Sequence, residues 1–159
     1  MNEKAVITVV EPSEGMIAQA KARVPEKDRE RVVFCNMTFD RFLPSETFDA
    51  AGTFFYWDCF REKQLKALLP KLFVCLKAEG FLINEDFFES AHPDGTGFKL
   101  THFILLRILY GFFGFATGIE SSRVSEIEPI ALANGFYAID TCLDEKLPVK
   151  AQVFQRRFV

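Results

Sequence analysis

The chain has 159 residues, of which 49% are hydrophobic and 26% charged, and its formal net charge is −3. These proportions are those of an ordinary globular protein, and the length suits one domain that buries about two-thirds of its unfolded surface. A slightly acidic chain has no basic stripe of the kind that nucleic-acid binding requires, so we expect no nucleic-acid partner.

Cysteine and histidine are too few and too scattered to predict a metal site. There are four cysteines, with no C-x-x-C pair, and two histidines, His92 and His102. Such cysteines are typical of reduced thiols, so we expect no bound metal and a cytoplasmic location. Residues 2–4 are polar, which predicts that there is no signal peptide.

The first two predicted strands enclose a helix. Residues 5–10 (AVITVV) are a short apolar run of the kind that is buried on both faces in a parallel sheet. Ser13 is a good helix N-cap, and apolar residues follow at helical spacing until Pro25, which ends the helix. Residues 32–35 form the second apolar strand.

The middle of the chain predicts a third strand, the clearest helix and a fourth strand. The third strand covers residues 48–53 (FDAAGT). Apolar residues at helical spacing predict a helix over residues 61–77, kinked at Pro70. Glu79-Gly80 closes this helix, and residues 81–86 (FLINED) form the next strand.

The last third predicts two helices and two strands. Residues 98–113 form an apolar helix, and a further helix over 123–134 is capped by Gly135. Strands follow at 136–143 and 151–158, and the short connection between them makes the last strand antiparallel. The apolar run at 103–115 is too short for a membrane span and carries Arg107, so we expect no span.

Strands and helices alternate along nearly the whole chain. This pattern predicts an α/β fold with a doubly wound, mostly parallel, Rossmann-like sheet and an antiparallel last strand. No linker or repeat interrupts the sequence, so residues 1–159 form a single predicted domain. Ligands bind beyond the carboxyl ends of such strands. Glu11 ends the first predicted strand and could accept both hydroxyls of a ribose, or could simply be a solvated residue there.

Four segments in order resemble class I S-adenosylmethionine-dependent methyltransferases. The match as a whole extends over about nine-tenths of the chain, and its first segment, VVEPSEGMIAQAK, resembles that family's second strand and following helix. The family's first strand and glycine-rich loop would precede Val6 and are missing from this sequence. The four segments are residues 9–21, 32–51, 68–86 and 133–136.

The resemblance implies S-adenosylmethionine as the cofactor. Glu11 would bind its ribose hydroxyls, and Pro12 and Met16 would line its adenine. Met37 and Thr38 would lie at the adenine edge, where the family usually carries a carboxylate.

The resemblance also places an apolar lid between the fifth and sixth strands of the family, at about residues 90–120 here. Thr53 and Phe54 would face the methionine end of the cofactor. The residues facing the substrate would be Tyr56, Trp57 and, on the lid, His102.

No catalytic residue is assigned, because methyl transfer needs little beyond in-line positioning of the acceptor and the sulfonium. His92 or His102 could act as a base, or each could be an ordinary histidine. Phenylalanines cluster at 54–60, 81–98 and 103–115, which favours a small apolar or aromatic substrate, although a phenylalanine-rich core is an equal reading.

The missing segment leaves three functional readings open. The chain is an active methyltransferase, a degenerate and inactive methyltransferase-fold binding or scaffold protein, or a fragment of a longer enzyme. Because the missing strand would be central, either its two neighbours pair directly, or another chain fills the gap, or Met1 is not the natural start. Apolar surface left by the gap also predicts a homodimer.

Overall fold

The computed structural model describes residues 5–87, 127–144 and 147–157. It divides into two compact units, Met1–Ser45 and Glu46–Val159. The single domain stays a prediction. The helix expected at 98–113, the lid at about 90–120 and both histidines lie outside the described residues.

The first unit contains two parallel strands and a helix between them in sequence. Strand β1 (Ile7–Val10) pairs with β2 (Val32–Cys35) over their whole lengths, from Ile7 opposite Val32 to Val10 opposite Cys35. Helix α1 (Glu14–Arg23) begins after Ser13, whose hydroxyl accepts a hydrogen bond from the Met16 backbone N–H at 3.3 Å. Both strands and the N-cap are confirmed.

The second unit is built on a four-stranded sheet in the order β3-β4-β6-β5. Strand β3 runs parallel to β4, while β6 is antiparallel to both of its neighbours. Three of these four described strands therefore run in one direction, and the antiparallel last strand is confirmed. The strands are β3 (Phe48–Phe54), β4 (Leu76–Phe87), β5 (Phe136–Leu143) and β6 (Val149–Arg156).

The core of the second unit lies on one face of this sheet, with helices α2 (Glu62–Cys75) and α3 (Glu128–Ala133). The apolar stripe predicted for α2 is buried, and Pro70 lies inside the helix as expected. Alternate residues of β4 show the two faces: Leu82 is fully buried, whereas Ile83 is 44% exposed. Helices on both faces, the doubly wound arrangement, stay a prediction.

The junction between α2 and β4 differs from the prediction. The helix ends at Cys75, and β4 begins directly at Leu76, which pairs with Phe48. Gly80 lies inside the strand instead of closing the helix. A Cβ at Gly80 would come within 2.9 Å of the Lys77 carbonyl oxygen and 3.2 Å of the Asp49 carbonyl oxygen. The glycine is therefore required by a close approach of two backbone segments.

Within the described residues, β1 pairs with β2 and β3 pairs with β4. The three alternatives for the missing strand stay predictions. Within residues 5–87, 127–144 and 147–157, no helix has both the length and the apolar character needed to cross a membrane.

Candidate functional site

Glu11 follows β1 and is held against the start of α1. Its backbone N–H donates to the Cys35 carbonyl oxygen at 3.1 Å, which continues the parallel pairing by one residue. Its carboxylate oxygen Oε1 accepts the Ser13 backbone N–H at 2.8 Å. A carboxylate offers about four lone-pair positions, so this bond leaves capacity for two further donors.

Asn36 fixes the ends of both strands of the first unit to each other. Its side-chain Nδ2 donates to the Glu11 carbonyl oxygen at 3.1 Å and to the Pro12 carbonyl oxygen at 2.9 Å. From the sequence, residues 36–38 were expected near the ligand because they follow a strand, but no specific role was predicted for Asn36. Its signal in the sequence is a side-chain amide directly after an apolar strand, at the position where the neighbouring strand also ends.

Two methionine side chains of the first unit are exposed near these strand ends. Met16 lies in the first turn of α1 and is 55% exposed, and Met37 lies two residues beyond β2 and is 37% exposed. Pro12 and Thr38 are also exposed. The polarizable thioethers offer apolar contact to a flat ring, while Glu11 offers acceptors.

Thr53 lies near the carboxyl end of β3 and joins two other segments. Its hydroxyl donates to Asn84 Oδ1 on β4 at 2.9 Å and accepts the Trp57 indole N–H at 2.9 Å. Asn84 is 2% exposed, whereas Thr53 itself is half-buried. The next residue, Phe54, points to the other face of the sheet and is 61% exposed.

The chain leaves β3 through a sharp change of direction into a short 3-10 helix, Trp57–Cys59, called the Trp57 turn below. Phe55 has a φ of 51°, and its N–H donates to the Glu85 carbonyl oxygen at 2.7 Å. Trp57 is fully buried. The half-buried Tyr56 ring packs edge-on against the Trp57 ring, with centroids 4.8 Å apart.

The buried carboxyl group of Asp86 holds the Trp57 turn, which itself contains the buried Asp58. Asp86 Oδ2, near the end of β4, accepts the backbone N–H groups of Trp57 at 3.0 Å and Asp58 at 3.1 Å. Asp86 is 7% exposed and Asp58 6%. Burial, with the neighbouring charge of Asp58, raises the pKa of Asp86 to about 8.

A polar row continues from Asp86 and Asn84 onto β6. Lys150 lies opposite Asp86, and the buried Gln152 lies opposite Asn84. Gln152 Nε2 donates to Glu128 Oε2 at 2.7 Å, and Lys150 Nζ lies 3.6 Å from the same oxygen. Polar groups of β4 and β6 therefore lie at neighbouring register positions near the carboxyl end of β4.

The predicted site residues fall into two groups according to unit. The first unit holds Glu11, Pro12, Met16, Met37 and Thr38, and the second holds Thr53, Phe54, Tyr56 and Trp57. His102 lies outside the described residues. Sequence reasoning missed Asp58 and Asn84. For Asn84 and Asp86 the signal is two polar side chains two positions apart, and so on the same face of the strand as the apolar Leu82.

In the described ranges, no three histidine, cysteine, aspartate or glutamate side chains come together in a way that could hold a metal ion. All four cysteines are free thiols.

Comparison with known proteins gives a fold but no close relative. No protein-family model and no curated protein matches the sequence. The methyltransferase SibL matches with a TM-score of 0.71 at 15% identity, over 96% of this chain and 44% of SibL. N-methyltransferase NodS from Bradyrhizobium japonicum WM9 matches with a TM-score of 0.62 at 14% identity, over 96% of this chain and 74% of NodS. This chain has the fold of the class I S-adenosylmethionine-dependent methyltransferases.

The methyltransferase fold also occurs in matching proteins with other chemistry. A pericyclic reaction enzyme matches with a TM-score of 0.66 at 12% identity, over 98% of this chain and 44% of that enzyme. NodS has been solved with S-adenosyl-L-homocysteine bound. The chain thus spans about three quarters of NodS and less than half of SibL and of the pericyclic reaction enzyme. At these sequence identities the similarity concerns the fold alone.

Proposed function

We propose that this chain is an S-adenosylmethionine-dependent methyltransferase, or the described part of one, that acts on a small apolar or aromatic molecule. The observation that carries the proposal is the position of Glu11. Its carboxylate lies directly after β1 and is oriented by the Ser13 N–H at 2.8 Å, in a fold that S-adenosylmethionine-dependent methyltransferases share. A carboxylate so placed can accept two ribose hydroxyls.

The other residues of the first unit suit an adenosine group. The exposed side chains of Pro12, Met16 and Met37 offer an apolar surface for adenine, and Thr38 offers a hydroxyl. Asn36 holds the two strand ends together, so Glu11 is presented on a cross-linked backbone. Orientation of this kind reduces the entropy that binding would otherwise cost.

The second unit supplies the groups that we assign to the methionine end and to the methyl acceptor. When bound, S-adenosylmethionine supplies an electrophilic methyl group on sulfur, and the protein has to align the acceptor with it. Phe54 and Tyr56 offer aromatic surface for this purpose. Trp57 is fully buried, so we assign it to supporting Tyr56. His102 remains a substrate-facing residue by resemblance.

A cofactor-free binding protein is the second candidate. The observation that favours it is the Thr53 hydroxyl, which donates to Asn84 and accepts from Trp57 inside the protein. A hydroxyl with both bonds made internally needs no ligand. The pericyclic reaction enzyme also shows that a protein of this fold can have a function other than methyl transfer.

Calorimetry with S-adenosyl-L-homocysteine separates the two candidates. We expect the wild-type chain to bind it and Glu11→Gln to bind at least about tenfold more weakly, because one charge-assisted acceptor is lost. Glu14→Gln is the matched control, because it makes the same change on the exposed first turn of α1 and should bind as the wild type does. No heat with the wild type at high micromolar ligand would overturn the methyltransferase proposal.

We also propose a homodimer in which β5 pairs with a second copy of itself. In the described sheet β5 is an edge strand beside β6, and Ile139 and Leu143 on it are 49% and 52% exposed. Asp140 is its only charged residue, so the edge lacks the lysines that usually prevent such pairing. Light scattering should give a dimer for the wild type and a monomer for Ile139→Lys, and a monomeric wild type would overturn the proposal.

A further inference from the structure

Asp58 and Asp86 come from separate elements and meet inside the second unit. Asp58 lies in the Trp57 turn, Asp86 lies near the end of β4, and both side chains are buried. Asp86 Oδ2 also accepts the backbone N–H groups of Trp57 and Asp58, and Oδ1 accepts the N–H of Phe87 at 3.1 Å. The backbone of the turn is therefore attached to β4 through one carboxyl group.

Two neighbouring carboxyl groups that are both buried cannot both be ionised at low cost. One of them must hold a proton, which the other can accept, as in other buried carboxyl pairs. The charged and titratable described groups around the pair are the Cys59 thiol, 3.4 Å from Asp58 Oδ1, and Lys150, opposite Asp86 on β6. Glu128 of α3 lies 3.6 Å from Lys150 Nζ, so the cation is already shared with another carboxylate.

We propose that the proton shared by Asp58 and Asp86 holds the Trp57 turn closed, and that Asp86 thereby acts as a positioning residue for Tyr56. Loss of this proton to a base in solution leaves two adjacent carboxylates. Their repulsion and their need for water then displace the turn from β4. The assignment of Tyr56 to the methyl acceptor rests on the proposed function, whereas the shared proton and the movement of the turn do not.

The pKa of Asp86 supports this geometry. Burial raises it to about 8, and the charge and hydrogen bond of Asp58 act in the same direction, while the backbone N–H groups act against them. The turn should therefore be closed in neutral solution and open in mildly alkaline solution.

Trp57 reports the state of the turn directly, because it is the only tryptophan of the chain. Its backbone N–H and its indole N–H both take part in the network, and its side chain is fully buried. We expect the emission of the wild-type protein to move to longer wavelength between about pH 6 and about pH 9.5, with a midpoint near 8. A wild-type emission spectrum that is constant over this range would overturn the inference.

Asp86→Asn keeps the shape of the side chain but removes the proton that titrates, so it tests the role of that proton. Its amide oxygen can accept the backbone N–H groups and its NH₂ can donate to Asp58, so it imitates the protonated carboxyl group. We expect a closed turn and no transition up to about pH 9.5. Asp140→Asn, on exposed β5, is the matched control and should keep the transition. If Asp86→Asn does not fold, as judged by circular dichroism, Asp58→Asn makes the same test, and a transition that persists in the folded variant overturns the inference.

The same fluorescence series distinguishes this inference from the proposed function. A transition near pH 8 without any binding of S-adenosyl-L-homocysteine contradicts the methyltransferase proposal alone. Binding with a constant emission contradicts the shared proton alone. If methyl transfer to an acceptor is measured, the KM for the acceptor should rise above pH 8 in the wild type and stay constant in Asp86→Asn, whereas a merely structural role would leave both pH profiles alike.

Discussion

The Thr53 hydroxyl donates a 2.9 Å hydrogen bond to Asn84 Oδ1 across two neighbouring parallel strands, β3 and β4. The same hydroxyl accepts the indole N–H of Trp57 at 2.9 Å. One small side chain thus joins the end of β3, the middle of the covered sheet face and the Trp57 turn. Because Asn84 and Trp57 are buried, neither could find water if this hydroxyl were removed.

Thr53→Val should therefore destabilise the protein. The substitution keeps the shape of the side chain but leaves the Trp57 indole N–H and the Asn84 carbonyl oxygen without their partner. We expect a loss of about 2 kcal/mol or more in the free energy of unfolding, measured by chemical denaturation. Thr53→Ser keeps the hydroxyl and should lose clearly less. Equal losses in the two variants would show that the hydrogen bonds do not carry the effect.

Some features of the structure are predictable from the sequence, and others are not. The strands Val32–Cys35 and Phe136–Leu143 are predicted with the bounds observed, because short apolar runs end there at polar or glycine positions. The pairing of Asp58 with Asp86 is not predictable in this way. Twenty-eight positions separate the two residues, and strand register, which sets their contact, depends on tertiary packing.

The junction of α2 with β4 fails for a different reason. Leu76 continues the helical apolar stripe of α2, so periodicity extends the predicted helix past the Cys75 end that the structure has. The pairing of Leu76 with Phe48 overrides this local preference. Glu11 was correctly predicted to lie at the end of the first strand, directly after Val10, but the bond from Ser13 that orients its carboxylate depends on the geometry of the turn.

Two glycines should respond in opposite ways to replacement by alanine. Gly135, after α3, has a φ of 89°, and a Cβ there would lie 2.9 Å from Phe73 Cε2. Gly15 lies inside α1, and a Cβ there would meet only Ser13 Oγ at 3.9 Å. We expect Gly135→Ala to destabilise the protein by about 1–3 kcal/mol, from backbone strain and overpacking. Gly15→Ala should stabilise it by up to about 1 kcal/mol, because alanine is the better helix former.

Thermal unfolding followed by circular dichroism measures both glycine variants under the same conditions. We expect the melting temperature to be lower than that of the wild type in Gly135→Ala and higher in Gly15→Ala. A Gly135→Ala variant as stable as the wild type would contradict the left-handed backbone and the close Phe73 ring. A destabilised Gly15→Ala variant would contradict the open space beside that position.

Among the cysteines that are at least partly exposed, Cys59 should have the least reactive thiol. Burial and the neighbouring carboxyl groups of Asp58 and Asp86 raise its pKa to about 12, so very little thiolate exists near neutral pH. Cys142, on the edge strand β5, is exposed. Iodoacetamide labelling near pH 7, followed by mass spectrometry of the peptides, should modify Cys142 at least about 100-fold faster. Labelling in denaturant is the control, since it should remove the difference between the two sites.

The free energy of unfolding should fall as the pH rises from about 4 to about 8. The pKa of Asp86 is raised from 3.8 to about 8, so the folded protein binds more protons than the unfolded chain between these values. The stability that the protonated group contributes is then complete below the lower pKa and is lost as the pH rises through the upper one, by at most about 1.4 kcal/mol per pH unit. Chemical denaturation at a series of pH values measures this slope, and the difference from Asp86→Asn isolates it from the exposed carboxylates. Asp86→Asn has no proton to lose at this position. Its free energy of unfolding, relative to that of the wild type, should therefore increase up to about pH 8 and then remain constant. Parallel pH curves for the two proteins would contradict a protonated Asp86.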